Sequence, residues 1–171
     1  MTDHEKIILD KLKEWSIPHN VYRHTQRNTS EEKAELDREL GITARHCKNI
    51  FLTDRKKSCF YLLVMPFEKT FRTAEVSKEL GTSRLSFASE ELLMEKLCCT
   101  HGNLGTLSLI FDKENEIGIA IDRELLDCES LCCHPNIDTT TVTLKTEDYL
   151  KKLLPCLKKI PQIVTVTNKS E

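Results

Sequence analysis

His46-Cys47-Lys48-Asn49-Ile50-Phe51-Leu52, followed after a polar turn by Cys59-Phe60-Tyr61-Leu62-Leu63-Val64-Met65, is the stretch that decides the fold. The two apolar runs bracket Thr53 to Ser58 and read as a β-hairpin or a pair of adjacent strands. Lys48 interrupts the apolar character at the entry to the first run. A lysine there has two fates. Its stem can lie on the core while its ammonium reaches water, which is the common case. Alternatively the strand aims a compact cation into a pocket, where it can hold a phosphate or a polarised carbonyl.

Outward from the hairpin, helices dominate both ends. Asp3 to Glu14 places Ile7, Ile8, Leu9 and Leu12 at near-helical spacing and stops around Ser16 and Pro18. His19 to His24 reads as a short extended piece. Ser30-Glu31-Glu32-Lys33 has the form of an N-cap with acids in the first turn, opening a helix that ends near Leu40 before Gly41. Thr73 to Leu80, closed by Gly81, and Ser89 to Leu97, capped by Ser89, are two further short helices. Thr100 to Thr106 contains Gly102 and Gly105 and is predicted as a loop. Leu107 to Phe111, Ile117 to Ile121 and Thr139 to Leu144 are predicted strands, Thr146 to Leu157 a closing amphipathic helix, and Gln162 to Val166 a final β-like run. Strands grouped in the middle with helices at both ends indicate an α/β chain of the mixed α+β kind. No repeat, low-complexity tract or linker divides residues 1–171, so a single domain is expected.

The 171 residues are 39% hydrophobic and 30% charged, an ordinary globular balance, with short polar ends at Met1 to His4 and Thr167 to Glu171. No apolar run reaches the ~20 residues that cross a bilayer, and the first residues lack a secretory pattern, so a cytoplasmic protein without membrane partners is expected. The 8 cysteines then read as reduced thiols. A net charge of -2 excludes a bulk polyanion binder but allows a local basic patch. Arg45 with Lys48, Arg55-Lys56-Lys57, and Lys151-Lys152 with Lys158-Lys159 are the candidates; for the last two a solvated face is the ordinary reading.

Chemistry-bearing groups are few. His134-Pro135-Asn136 is a corner in which proline holds the histidine extended and fixes where its imidazole and carbonyl point. Cys128, Cys132, Cys133 and His134 cluster, but there is no Cys-x-x-Cys pair, so a metal site is not expected. Cys47 beside His46 is no nucleophile-base pair, because neighbours on a strand face opposite ways. Phosphate-loop, dinucleotide, zinc-protease and serine-hydrolase signatures are absent.

The segments that carry a family resemblance are His46 to Leu52, Leu85-Ser86-Phe87-Ala88-Ser89-Glu90-Glu91-Leu92, Thr100-His101-Gly102, Asp122-Arg123-Glu124-Leu125-Leu126, Cys133-His134-Pro135-Asn136 and Thr146-Glu147-Asp148-Tyr149-Leu150. In this order they resemble the YbaK/ProX family of aminoacyl-tRNA editing domains, in its free-standing prolyl-tRNA-synthetase-associated (PrdX-type) branch, from about residue 5 to 166. The resemblance implies a mixed, partly barrel-like β-sheet surrounded by helices. It implies hydrolysis of a wrong amino acid from tRNA, in trans, with alanine on proline tRNA as the usual substrate. It makes Lys48 the catalytic residue, with Asn49, Gly102, His134 and His46 binding substrate, and it calls for no cofactor or metal. The implied partner is the 3′ aminoacyl end of a mischarged tRNA, with prolyl-tRNA synthetase or an elongation factor as protein partner, for a monomeric chain. One departure stands out. The family loop often runs Pro-Gly-x-x-x-Pro, whereas His101-Gly102-Asn103-Leu104-Gly105-Thr106 lacks both prolines, which predicts a looser loop with His101 in solvent. That departure motivates an alternative: a catalytically weak or silent module of the same fold that binds tRNA or a synthetase.

Overall fold

In the computed structural model, which describes residues 1–169, the hairpin is β2 (Cys47–Asp54) against β3 (Phe60–Pro66). The strands are antiparallel, in a register running from Cys47 opposite Pro66 to Thr53 opposite Phe60. The turn is organised by Asp54, whose carboxylate accepts from the Ser58 amide at 2.7 Å, the Ser58 hydroxyl at 2.5 Å and the Cys59 amide at 3.1 Å. Three donors converging on one short acidic side chain form a compact Asx-type corner.

Around this hairpin the chain places α1 (Asp3–Glu14), β1 (Asn20–Arg23), α2 (Ser30–Leu40), α3 (Thr73–Leu80), β4 (Leu85–Phe87) and α4 (Glu90–Leu97). Then follow β5 (Ile117–Asp122), β6 (Ser130–Cys133), β7 (Thr140–Lys145), α5 (Thr146–Asp148), α6 (Leu154–Cys156) and β8 (Gln162–Val164). Five strands form one sheet in the order β4-β2-β3-β5-β8, and three form a second in the order β1-β7-β6. The sheets are joined at Arg45, just ahead of β2. Its amide donates to Ser130 at 2.8 Å, and its carbonyl accepts from Cys132 at 2.8 Å. This junction bends the two sheets into the expected partly closed arrangement.

Both faces of the larger sheet are covered, which is why its strands do not alternate in polarity. On one face Phe51, Leu62, Val64, Ile119 and Ile121 pack with Ile8, Leu12, Leu93, Leu97, Leu107 and Tyr149. On the other Ile50, Leu52, Leu63, Met65 and Ala120 meet Val76, Leu80 and Leu85. β4 is short and pairs with β2 only from Leu52 to Asp54. The entry of β2, at Cys47 to Asn49, therefore has no strand on that side.

Most sequence-derived boundaries hold, with four corrections. The strand expected at Leu107 to Phe111 is a 3₁₀ helix, Thr106–Phe111. The Gly105 amide donates to the Ser108 hydroxyl and the Ser108 amide to the Gly105 carbonyl, each at 3.0 Å. That reciprocal pair closes a turn, and local side-chain bonding of this kind competes with a β-ladder. The cap of α2 is Thr29, not Ser30: its hydroxyl accepts from the Glu32 amide, and Glu32 reaches back to the Thr29 amide. The closing helix is interrupted by a π-helical turn over Tyr149–Leu153, in which the Leu154 amide reaches the Tyr149 carbonyl. Pro155, which has no N–H to donate, follows at once. The polar N-terminus is also ordered, since Thr2 and Glu5 form a capping box at the start of α1. At the other end Thr167 bonds Glu75, while 170 and 171 lie outside the described residues.

Candidate active site

Five separate segments converge at the uncovered entry of β2. A cavity of about 230 Å³ is lined there by Lys48, Asn49, His46, Gly102 and His134, together with Arg27, Lys33, Phe67, Leu104 and Asp138 among others. A second, more open cavity of about 570 Å³ adjoins it and shares Lys33, His46 and Phe67 with it. The five residues that the resemblance assigns to the site thus lie in one place.

Each is held by a specific contact. Lys48 is partly buried, and its ammonium donates to the backbone carbonyl of Lys69 at 2.6 Å. An ammonium carries three donors, so two remain for the cavity. Burial lowers its pKa, partly opposed by the carboxylate of Glu68. The Oδ1 of Asn49 is buried with no hydrogen-bond partner. His46 is fixed from α2, with its Nε2 2.7 Å from Asp37. A side chain at Gly102 would meet nothing within 4 Å, so the absent Cβ leaves open cavity beside the backbone.

His134 is set by its corner. Its Nδ1 lies 3.1 Å from the Thr140 carbonyl, so Nδ1 carries the proton and Nε2 is left as an acceptor. Burial drives its pKa down to about 4, against the opposing effect of that hydrogen bond. The imidazole is therefore neutral near pH 7.

The loop from 101 to 106 is pinned, contrary to the looseness expected from its missing prolines. A Cβ on Gly105 would sit 2.8 Å from the His134 carbonyl oxygen and 3.2 Å from its amide nitrogen, so only glycine fits there. Ser108 donates to Asn136 Oδ1 at 2.5 Å, and Asn136 Nδ2 donates to the Leu97 and Cys98 carbonyls at 3.0 and 3.2 Å. One buried asparagine thus caps the end of α4 and ties the loop to the His-Pro corner. Thr106 shares a 2.6 Å hydrogen bond with the buried Tyr149 hydroxyl. His101 is exposed, as expected, and is tethered at the surface by Glu90 at 2.8 Å and the Ala88 carbonyl at 3.1 Å.

The basic patches fare differently. Arg45 is paired with Glu68 and Glu124, Lys151 with Glu147, and Lys152 with Asp148. Lys159 is buried against Asp112, Asn115 and the Ile117 carbonyl and belongs to no surface. The cysteines are free thiols, several raised in pKa by burial. Among the described residues no group of His, Cys, Asp and Glu side chains forms a metal-ligand set, and no helix is long and apolar enough to cross a membrane. Sequence reading missed Arg27, Lys33, Phe67 and Asp138. The signal for Lys33 was the helical spacing of Ser30, Lys33, Ala34 and Asp37, a polar face of α2 that lines the larger cavity.

The model of the aminoacyl-tRNA editing domain matches residues 26–152, and the chain belongs to that family. Among its relatives, the prolyl-tRNA editing protein ProX of Acetoanaerobium sticklandii is 30% identical over 149 residues, covering 87% of this chain and 90% of the relative. The prolyl-tRNA synthetase associated domain-containing protein 1 of Danio rerio is 30% identical over 154 residues, 88% of this chain and 82% of that one. A solved structure described provisionally as a trans-editing enzyme for prolyl tRNA synthetase shares the fold, with a TM-score of 0.73 at 14% identity over 97% of this chain and 98% of that chain.

Proposed function

We propose that the chain is a trans-acting aminoacyl-tRNA deacylase that removes a small wrong amino acid, alanine, from proline tRNA in the cytoplasm. The observation that carries this reading is the convergence of Lys48, Asn49, His46, Gly102 and His134 on one cavity of about 230 Å³. One relative named for prolyl-tRNA editing and one named for association with prolyl-tRNA synthetase support the choice of tRNA.

An aminoacyl ester is already activated, so the site has mainly to orient it and stabilise the charge that develops. Water adds to the ester carbonyl, the carbonyl oxygen becomes an oxyanion, and collapse breaks the bond to the ribose oxygen. The products are the free amino acid and the tRNA hydroxyl. Lys48, braced by the Lys69 carbonyl, has two donors left for the oxyanion or the ribose. Gly102 lets the substrate approach backbone closely. Neutral His134 offers Nε2 as an acceptor that positions water, while a pKa of about 4 makes it a weak base. The substrate's own amino group then takes part of the proton-transfer role. Asn49, which lines the same cavity, is the residue proposed to accept from that amino group.

The pinned loop removes the reason for preferring a silent module. A panel of alanyl-, cysteinyl- and seryl-tRNA on proline and cognate tRNAs tests the substrate. Release of alanine from proline tRNA, unchanged by EDTA, is the expected result; binding without turnover on every charged tRNA would sink the enzymatic reading.

A further inference from the structure

We propose that Arg27 and Lys33 form a phosphodiester-binding clamp at the junction of the two cavities, receiving the backbone of the RNA whose 3′ end enters the smaller one. The inference rests on the reading of that cavity as the site for an aminoacylated 3′ end, and extends it to a binding element that the sequence did not reveal.

The two cations differ from others around them. Lys69 is paired with Asp122 and Glu124, Arg45 with Glu68 and Glu124, Lys96 with Glu116, and Lys159 with Asp112. Lys33 has no such carboxylate among the described residues: its ammonium donates to the Arg27 carbonyl at 3.2 Å and lies 4.7 Å from the centre of the Phe67 ring. The acids nearest to it act across space and are largely committed elsewhere. Glu32 accepts from the Asn28 and Thr29 amides, and Asp37 holds His46. Asp138, the remaining acid that acts on Lys33, lines the smaller cavity with it.

Arg27 is similar. Its closest carboxylate, Glu39, is 3.9 Å away, too far for a hydrogen bond, and its Nε is buried without a partner. The Arg27 side chain as a whole stays 26% exposed, so its fork can meet an acceptor from outside. The carbonyl contact from Lys33 to Arg27 brings the two residues together, and both line the smaller cavity. Lys33 also lines the larger one, beside Phe67. A planar fork held only loosely by Glu39, next to a point charge with no carboxylate at ion-pair distance, matches a phosphate bearing two non-bridging oxygens. Both residues line the cavity read as the site of the RNA 3′ end, and a net charge of -2 leaves such local cations to supply its attraction.

The probe is an uncharged RNA hairpin ending in single-stranded CCA, with affinity read by fluorescence anisotropy over a salt series. Arg27→Gln and Lys33→Gln should each raise Kd about tenfold at low salt, and each should reduce the slope of log Kd against log salt by about 0.7, the value for one lost phosphate contact on a single strand. Lys33→Arg should retain most of the slope, which separates charge from packing. In turnover, the loss of kcat/KM in Lys33→Gln should be about tenfold greater on an RNA-linked ester than on a phosphate-free aminoacyl nucleoside. Unchanged Kd and slope in both Gln variants overturn the clamp, as does failure of the wild type to bind the hairpin. Binding that follows the expected pattern without hydrolysis of any ester upholds the clamp and overturns the deacylase reading instead.

Discussion

His134 shows how one side chain links stability to the site. Its folded-state pKa of about 4 lies below the ordinary 6.5, so as pH falls the unfolded chain takes up the proton first. The contribution of the neutral, buried ring is therefore complete above about pH 6.5 and is lost progressively towards pH 4, amounting to at most about 3 kcal/mol. Urea midpoints measured from pH 7 to 4.5 should fall more steeply for the wild type than for His134→Gln; parallel slopes would show that the ring is not held neutral. Which side chains would meet was only partly legible at this scale. His134 was marked by the proline behind it and Lys48 by its polarity within an apolar run. Arg27 and Phe67 carried no comparable mark, because their roles come from contacts across the fold. Gly102 and Gly105 looked alike in sequence yet do opposite things, one leaving space and the other filling it.

The loop and 3₁₀ helix between Thr100 and Phe111 form the element where sequence reasoning went furthest astray. Apolar composition over Leu107 to Phe111 suggested a strand, and the missing prolines suggested slack. What decides the outcome is a set of distant partners, Asn136, Tyr149 and the His134 backbone, none of which local pattern can show. α3 with its glycine stop and α4 with its serine cap were readable because those determinants are local. Two substitutions separate the loop's functions. Gly105→Ala forces a Cβ onto His134 backbone atoms and should lower the melting temperature and abolish deacylation together. Gly102→Ala meets no atom and should melt like the wild type, while the methyl group it places in the cavity cuts deacylation at least tenfold. Equal melting of both variants would show that the loop is not packed on the corner.

The whole molecule is two sheets bent together at Arg45, with helices closing the remaining faces and the site opening where β4 stops short of the β2 entry. The hairpin and the mixed α+β class were visible from the order of apolar runs. The parallel pairing of β3 with β5 and of β5 with β8 was not, since register between distant strands is chosen by tertiary packing. The C-terminal end is held by Lys159, only 6% exposed, which bonds Asp112 at 2.5 Å and the Ile117 carbonyl at 2.6 Å. Lys159→Ala leaves the buried Asp112 without its counter-charge and should cost about 3–5 kcal/mol in urea unfolding; a loss below 1 kcal/mol would mean that the pair does not anchor the terminus. The central claim is that convergence of distant segments on Lys48 makes a hydrolytic site, and it is tested by alanine release from alanyl-proline tRNA with wild type and Lys48→Ala in parallel. The account predicts turnover by the wild type and a loss of at least a hundredfold in a variant that melts normally. Full activity in that variant would contradict it.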